Sequence, residues 1–144
     1  TDGDQVYVSI SDAMEKEPGE AGGVTALRVE DGELVWHAPP VQDTCGGRQG
    51  CHTAQPAAVS LIPGVAFAGS LDGHLRAYAT DTGNIIWDFD TAREFQTVNG
   101  VEARGGSLNG PGPTIVDGMV YVLSGYGSFG FMSGNVLLAF AIED

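Results

Sequence analysis

The residues with the most distinctive chemistry in this chain are two cysteines in a polar, glycine-rich loop, Thr44-Cys45-Gly46-Gly47-Arg48-Gln49-Gly50-Cys51-His52. Five residues separate Cys45 from Cys51. This spacing favours a local disulfide, and a disulfide implies an oxidising compartment. A metal site that used both thiolates and His52 would need a fourth ligand, which the sequence does not identify.

Haem and histidine-based metal chemistry have weaker support. The pair Cys51-His52 has the form of the end of a c-type haem attachment motif, but that motif has about two residues between its cysteines. We therefore predict no haem attachment within this chain. The histidines His37, His52 and His74 share no metal-ligand spacing, and each is expected to have a structural or solvent-exposed role.

The charge of the chain argues against two classes of partner. With 19 acidic and 6 basic residues, the formal net charge is −13. Nucleic-acid binding depends on cationic contacts with phosphates, so this balance argues against it and equally against an anionic membrane surface. The longest apolar run, residues 136–142, is far shorter than the roughly 20 residues of a membrane-spanning helix, so no membrane span is expected.

Short strands joined by tight turns account for almost the whole chain. The 22 glycines and 7 prolines are spread along the sequence, and helical patterning is nearly absent. Residues 91–110 are predicted to be a longer polar connection. The predicted strands cover residues 4–11, 23–29, 34–37, 57–62, 65–70, 74–80, 85–89, 113–116, 119–124 and 136–142.

These strands form three copies of one unit. The first two copies match at a constant offset of 51 positions, and the second and third match at an offset of 54. Four antiparallel strands in about 40–50 residues is the unit of a β-propeller blade. The matching residues are Ala26, Gly32 and Trp36 with Ala77, Gly83 and Trp87, then Gly64, Phe67 and Ser70 with Gly118, Tyr121 and Ser124.

We therefore predict an all-β chain that forms part of a β-propeller. Residues 1–40 would be a blade that lacks its first strand, residues 53–92 a complete blade, and residues 105–144 a blade that lacks its last strand. Three units cannot close a ring of about 4–8 blades, so a larger propeller is expected. Trp36 and Trp87 are interpreted as the packing residues by which one blade docks on the next.

The spacing Ala77-(x4)-Thr82-Gly83-(x3)-Trp87 resembles the tryptophan-docking repeat of quinoprotein propellers, the dehydrogenases that use pyrroloquinoline quinone (PQQ). The repeat usually has Asp two residues after the Ala, where this chain has Ala79 and, in the first copy, Arg28. Within that group the chain is most similar to the cytochrome-linked polyvinyl-alcohol-dehydrogenase type, over stretches that include residues 69–78, 105–113 and 134–140.

The resemblance implies a cofactor near the propeller axis, reached by the loops at residues 52–56, 70–73, 104–112 and 126–134. A quinone with carboxylates needs cationic or amide donors, which Arg104, Ser107 and Asn109 would supply. Tyr126 could stack on the quinone ring. Alcohol oxidation also needs a base, for which Asp72 is the candidate, and calcium as a Lewis acid.

Each of these residues also has a plain structural interpretation. Asp72-Gly73 and Asn109-Gly110 are both typical turn sequences. Arg104 follows Glu102 in a polar stretch and could be a solvated surface group. The glycines at positions 105 and 106 either let the backbone approach a ligand or let the chain turn the blade corner. Tyr126 could equally be an aromatic plug.

The expected function is part of a periplasmic or secreted PQQ-dependent dehydrogenase that oxidises an alcohol, polymeric or small. Its partners would be the remainder of the propeller, the alcohol substrate and a cytochrome electron acceptor. The alternative is a non-catalytic propeller that acts as a protein-binding scaffold in the cell envelope, because such scaffolds have similar repeats and a fold does not determine a function.

Overall fold

A computed structural model describes residues 1–14, 22–126 and 129–142. Parts of the predicted connection after the first strand and of the loop around residue 127 lie outside these ranges. Within them the all-β prediction is confirmed, and there is no helix that could cross a membrane. The strands are β1 (Gln5–Ile10), β2 (Gly23–Arg28), β3 (Leu34–Ala38), β4 (Ser60–Ile62), β5 (Val65–Gly69), β6 (His74–Ala79), β7 (Ile85–Asp90), β8 (Glu94–Phe95), β9 (Ala103–Arg104), β10 (Thr114–Val116), β11 (Met119–Ser124) and β12 (Val136–Ala141).

The main sheets are antiparallel meanders in which each strand pairs with its neighbour in sequence. Their orders are β1-β2-β3, β4-β5-β6-β7 and β10-β11-β12. Each sheet lies inside one of the predicted blade ranges, so we call them the first, second and third blade. It stays a prediction that the first blade lacks its first strand and that the third blade lacks its last strand.

The repeated alanine and tryptophan are cross-strand partners. Ala26 of β2 lies opposite Trp36 of β3, and Ala77 of β6 lies opposite Trp87 of β7. The register shifts immediately after the alanine in both ladders. A bulge of this kind bends the strand and increases its twist, so the sequence repeat reflects a repeated backbone geometry.

Trp36 lies in the hydrophobic core between the first and second blades. Its side chain is only 8% exposed, and its indole Nε1 donates a hydrogen bond to the carbonyl of Thr80 at 2.8 Å. The ring also covers Gly83, in the turn between β6 and β7. The tryptophan of one blade therefore contacts the hairpin turn of the next.

A second core joins the second and third blades. Leu75, Leu108 and Val122 are its buried members. Near it, the ring of Trp87 meets the ring of Phe140 edge-on, with centroids 5.2 Å apart. Trp87 is nevertheless 37% exposed, far more than Trp36.

The prediction that residues 91–110 form a polar connection was wrong in one respect, because this segment contains the two-stranded hairpin β8-β9. Its tip includes Asn99-Gly100, where the amide of Gly100 donates to the carbonyl of Thr97 at 3.2 Å. Asn-Gly is a strong hairpin signal, and it was available in the sequence. Strand β4 is also shorter than the predicted range of 57–62, because only Ser60–Ile62 pair with β5.

Candidate functional site

The four loops predicted to surround a cofactor lie together on one side of the blades. The amide of Leu71 donates to the carbonyl of Ala54 at 2.9 Å, and the amide of Leu108 donates to the carbonyl of Ser70 at 3.0 Å. The amide of Ser107 in turn donates to the carbonyl of Met132 at 2.8 Å. The loops before β4, after β5, before β10 and after β11 are thus joined by backbone hydrogen bonds.

Ser107 holds two of these loops together. Its hydroxyl donates to the carbonyl of Leu71 at 2.6 Å and accepts a hydrogen bond from the amide of Met132 at 3.1 Å. The side chain is buried. This geometry favours a structural role for Ser107 over direct donation to a cofactor.

The glycines at positions 105 and 106 allow close packing of one backbone on another. A Cβ on Gly105 would lie 1.8 Å from the carbonyl oxygen of Thr91, and a Cβ on Gly106 would lie 2.2 Å from that of Met132. Real Cβ atoms do not approach so closely, so only glycine fits at either position. The protein's own backbone therefore occupies the space next to both glycines.

The side chain of Asp72 is completely buried, and both of its carboxylate oxygens accept hydrogen bonds. Its Oδ2 accepts hydrogen bonds from Nη2 of Arg76 at 2.7 Å and from the hydroxyl of Thr44 at 2.6 Å. Its Oδ1 accepts from the backbone amide of His74 at 3.0 Å and from the hydroxyl of Ser70. The side chain is 0% exposed.

The electrostatics of Asp72 favour an ion pair over a catalytic base. Burial acts to raise its pKa, but the hydrogen bond and the positive charge of Arg76, together with hydrogen bonds from Ser70 and Thr44, outweigh burial and lower the pKa. A carboxylate with a lowered pKa and no exposed oxygen is a poor proton acceptor. The turn interpretation of Asp72-Gly73 is thus the one the geometry supports.

The predicted disulfide between Cys45 and Cys51 is confirmed, with Cα atoms 5.5 Å apart. Arg48 fastens the loop to the second blade, because its Nη2 donates to the carbonyls of Thr44 at 2.8 Å and Asp72 at 3.2 Å. Its Nη1 also lies 3.3 Å from the carboxylate of Asp90. The loop that contains the disulfide therefore covers the buried Asp72.

Two neighbouring clefts open beside the β8-β9 hairpin. We call the larger, of about 850 Å³, the hairpin cleft, and the smaller, of about 540 Å³, the arginine cleft. Three residues line both clefts: Glu94, Arg104 and Ser133. The hairpin cleft is also lined by Phe95, Gln96, Glu102, Ala103, Gly134 and Asn135, and the arginine cleft by Gln49, Ala92, Arg93, Gly105, Gly130, Phe131 and Met132.

Two arginine residues, Arg93 and Arg104, are among those that line the arginine cleft. The guanidinium of Arg93 lies over the rings of Phe89 and Phe95, 4.6 and 5.2 Å from their centroids. Arg104 is exposed and donates from Nη2 to the hydroxyl of Ser133 at 3.3 Å. Guanidinium groups match carboxylates in charge and in the geometry of their donors. The two arginines outnumber the one carboxylate of this lining, Glu94, so the charge balance of the cleft favours an anionic ligand.

The remaining predicted cofactor residues do not line either cleft. Asn109 is half-buried and Tyr126 is 61% exposed, but neither is among the residues that line either cleft. Arg93, which sequence reasoning missed, does line the arginine cleft. The hairpin signal at Asn99-Gly100 could have identified Arg93 as a site residue, because pairing of the flanking segments brings Arg93 next to Gly105. In the structure the amide of Gly105 donates to the carbonyl of Arg93 at 2.9 Å.

No metal site is found in the part of the chain that the structure describes. There, no group of three or more His, Cys, Asp or Glu side chains is arranged to hold an ion. Nδ1 of His52 instead accepts a hydrogen bond from the amide of Ala54 at 3.0 Å.

Consecutive antiparallel sheets, joined through a docking tryptophan, define the chain as a segment of a β-propeller. A family comparison identifies the group more closely. The chain belongs to the PQQ-repeat family, whose model is described as outer membrane protein assembly factor BamB and matches residues 20–144.

Individual relatives confirm the resemblance to PQQ-dependent dehydrogenases. The chain is 45% identical over 152 residues to a polyvinylalcohol dehydrogenase from Pseudomonas sp, and 42% identical over 156 residues to one from Sphingopyxis sp. (strain 113P3). Each alignment covers 99% of this chain and 24% of the relative. The chain thus spans about a quarter of the length of these curated relatives.

A solved structure supports the propeller assignment. The quinohemoprotein alcohol dehydrogenase from Comamonas testosteroni superposes with a TM-score of 0.57 and is 25% identical, over 83% of this chain and 15% of that one. The predicted partial propeller fold is therefore confirmed.

Proposed function

We propose that this chain is part of a PQQ-dependent dehydrogenase that oxidises an alcohol and passes the electrons to a cytochrome. The observation that supports the proposal best is the arginine cleft, which is lined by both Arg93 and Arg104. The cleft lies among the loops where the family resemblance implies the cofactor. The relatives named polyvinylalcohol dehydrogenase suggest a polymeric alcohol as substrate.

The residues of this chain would hold the cofactor rather than react. Arg93 and Arg104 would each donate hydrogen bonds to a carboxylate of PQQ, and the volume of about 540 Å³ is within the usual range for small-molecule sites. When bound, the quinone supplies the acceptor for the hydride that leaves the alcohol. Asn109 and Tyr126 are proposed as further contacts to the cofactor within the complete propeller.

In this proposal Asp72 and Ser107 are positioning residues. Asp72 forms an ion pair with Arg76, and Ser107 joins two loops by hydrogen bonds. Both residues therefore stabilise the loops that form the site. The base that accepts the alcohol proton would come from another part of the full-length protein.

Calcium, which the resemblance implies, does not fit the residues that the structure describes. Calcium takes about 6–8 oxygen ligands, and the described residues provide no cluster of acidic side chains that could begin such a site. The proposal therefore assigns no calcium ligand here.

The proposed location is the periplasm or the cell exterior. The disulfide between Cys45 and Cys51 supports this, because such bonds persist in oxidising compartments. The proposed partners are the remaining blades, the alcohol and a cytochrome.

The test is reconstitution of the full-length protein with PQQ, followed by assays of cofactor absorbance and dye-linked alcohol oxidation. Each of the variants Arg93→Ala and Arg104→Ala should weaken PQQ binding about 10-fold or more, since a charge-assisted hydrogen bond contributes roughly 1.5–3 kcal/mol. The matched control is Arg28→Ala, an exposed arginine paired with Asp31 and Glu33. Absence of both bound cofactor and alcohol oxidation in the unmodified protein would contradict the proposal.

The second candidate is a non-catalytic scaffold of the cell envelope, which the description of the matching family model favours. In that case the Arg93 and Arg104 variants would leave function intact. Changes of the exposed Ile85 and Ile86 on the rim strand β7 would instead abolish binding of a protein partner.

A further inference from the structure

The tip of the β8-β9 hairpin contains an asparagine followed by a glycine, both open to solvent. Asn99 and Gly100 are exposed, and a Cβ added to Gly100 would meet no atom within 4 Å. Glycine has no side chain to shield its backbone nitrogen, and it changes conformation more freely than any other residue. The amide nitrogen of Gly100 can therefore reach the side-chain amide of Asn99 without steric hindrance.

The side-chain oxygen of Asn99 accepts two hydrogen bonds. The hydroxyl of Thr97 donates to Oδ1 at 2.7 Å, and the backbone amide of Val101 donates to the same atom at 3.2 Å. The Thr97 hydroxyl also lies 2.6 Å from the carbonyl oxygen of Val101, so it links the two sides of the turn. Donors directed at a carbonyl oxygen stabilise the negative charge that develops there when a nucleophile attacks the carbonyl carbon. The folded turn thus activates the Asn99 side chain towards attack.

The amide of Gly100, the neighbouring nucleophile, is held only weakly. It donates to the carbonyl of Thr97 at 3.2 Å, the long end of the ordinary range, and this bond closes the turn. Breaking the bond costs little, because an exposed amide and an exposed carbonyl bond to water instead. The Gly100 nitrogen is therefore available for reaction.

We propose that Asn99 is a site of spontaneous deamidation, which the folded turn promotes. The Gly100 nitrogen gives its proton to hydroxide and attacks Cγ of Asn99, and the side-chain nitrogen leaves as ammonia. The product is a cyclic succinimide. Water then opens the ring at either of its two carbonyls, so position 99 becomes aspartate or isoaspartate. The reaction needs only solvent and is independent of the function proposed above.

The other three asparagines of the chain do not combine these features. Asn109 also precedes a glycine, but it is half-buried. Asn84 and Asn135 precede the β-branched residues Ile85 and Val136, whose stiff side chains crowd the attacking nitrogen. The Nδ2 of Asn135, moreover, donates to the carbonyl of Glu102 at 3.3 Å, which holds its side-chain amide in place. Asn99 should therefore react first.

Deamidation at the tip should loosen the hairpin. Isoaspartate adds a carbon to the backbone, so the hydrogen bonds that span the turn cannot all keep their geometry. The β8-β9 ladder has only two residue pairs, and residues of both strands line the hairpin cleft. Hydrogen exchange at the amide of Gly105, which donates to the Arg93 carbonyl, should therefore be faster in the isoaspartate form. Unchanged exchange would overturn this consequence.

The main test is incubation of the full-length protein at mildly alkaline pH, followed by mass spectrometry of the peptides that contain each asparagine. Asn99 should convert first, and enzymatic methylation should detect isoaspartate there. In the urea-unfolded protein Asn99 and Asn109 should react at similar rates, so a preference for Asn99 in the folded protein measures the effect of the structure. Equal rates at these two residues in the folded protein, or earlier conversion of Asn109, would overturn the inference.

Variants of the turn test the activation of Asn99 directly. Thr97→Val removes the hydroxyl donor and should slow conversion in the folded protein about 3-fold to 10-fold, the rate effect of one ordinary hydrogen bond. The matched control Thr97→Ser keeps the hydroxyl and should react as fast as the unmodified protein. Gly100→Ala should lower the rate at Asn99 to that of Asn84. An unchanged or faster rate in Thr97→Val would show that the folded turn does not promote the reaction.

Discussion

At the scale of single residues, the most consequential feature is the ion pair beneath the disulfide loop. Asp72 and Arg76 are 0% and 1% exposed, and Arg76 also donates from Nε to Asp88 at 3.1 Å. A buried pair is costly to desolvate, but removal of one partner leaves an uncompensated charge in the interior. The pair therefore fixes the conformation of the turn between β5 and β6.

The substitution Asp72→Asn should strongly destabilise the protein. Loss of one partner of a buried pair costs about 3–5 kcal/mol, and the lower end is expected here because Arg76 keeps Asp88. The measurement is the shift of the thermal unfolding midpoint of the full-length protein. The control Asp31→Asn, at an exposed pair with Arg28, should change the midpoint very little. Equal shifts for the two variants would argue against a structural role for Asp72.

The same pair predicts how stability responds to acid. The pKa of Asp72 is lowered in the folded protein, so its contribution is fully present above the unfolded value of about 3.9. That contribution is lost as the pH falls further, through the folded pKa. The difference in stability between the unmodified protein and Asp72→Asn should therefore be constant above pH of about 5 and shrink below pH of about 4.

At the scale of elements, the docking of Trp36 depends on the turn between β6 and β7. Gly83 has a φ of +72°, and a Cβ there would lie 2.5 Å from Cε3 of Trp36. Gly32 is its equivalent in the first blade, with a φ of +74° and nothing within 4 Å of a Cβ. Gly83 and Gly32 therefore have nearly the same backbone conformation, but only Gly83 contacts a tryptophan.

The pair of variants Gly83→Ala and Gly32→Ala separates these two effects. Gly32→Ala should cost about 1–2 kcal/mol, from the left-handed backbone conformation alone. Gly83→Ala should cost clearly more, because Trp36 must also move and its hydrogen bond to Thr80 is disturbed. Thermal unfolding of the full-length protein measures both costs, and the emission of Trp36 reports the movement. Equal costs with unchanged emission would contradict this docking contact.

The sequence repeat predicted the main strands well because their alternation is strong and their turns are marked by glycine. The β8-β9 hairpin was missed because its strands are only two residues each, too short to show an apolar alternation. The turn at Asp72-Gly73 was predictable, but the closure of the site over Asp72 was not. Its partner Thr44 is 28 residues away, and only the folded disulfide loop brings the two together.

At the scale of the whole molecule, the chain is one part of a longer repeating structure. Its relatives are about four times as long, since the alignments cover 24% of them. The first and second blades show how neighbours join: Trp36 contacts the turn that follows β6, through Thr80 and Gly83. By the repeat, Trp87 should contact the corresponding turn after β12.

This repeat predicts that Trp87 becomes protected in the complete propeller. It is 37% exposed in this chain, whereas Trp36, already docked, is 8% exposed. In the full-length protein the indole of Trp87 should gain a backbone carbonyl acceptor in the turn after β12, and its ring should lose contact with water. Acrylamide quenching of Trp87 should then fall to the level of Trp36. The variants Trp36→Phe and Trp87→Phe each remove one tryptophan, so the contribution of each to the quenching is obtained by difference. Persistent strong quenching of Trp87 would mean that the third blade docks differently from the second, and that the repeat does not extend unchanged around the ring.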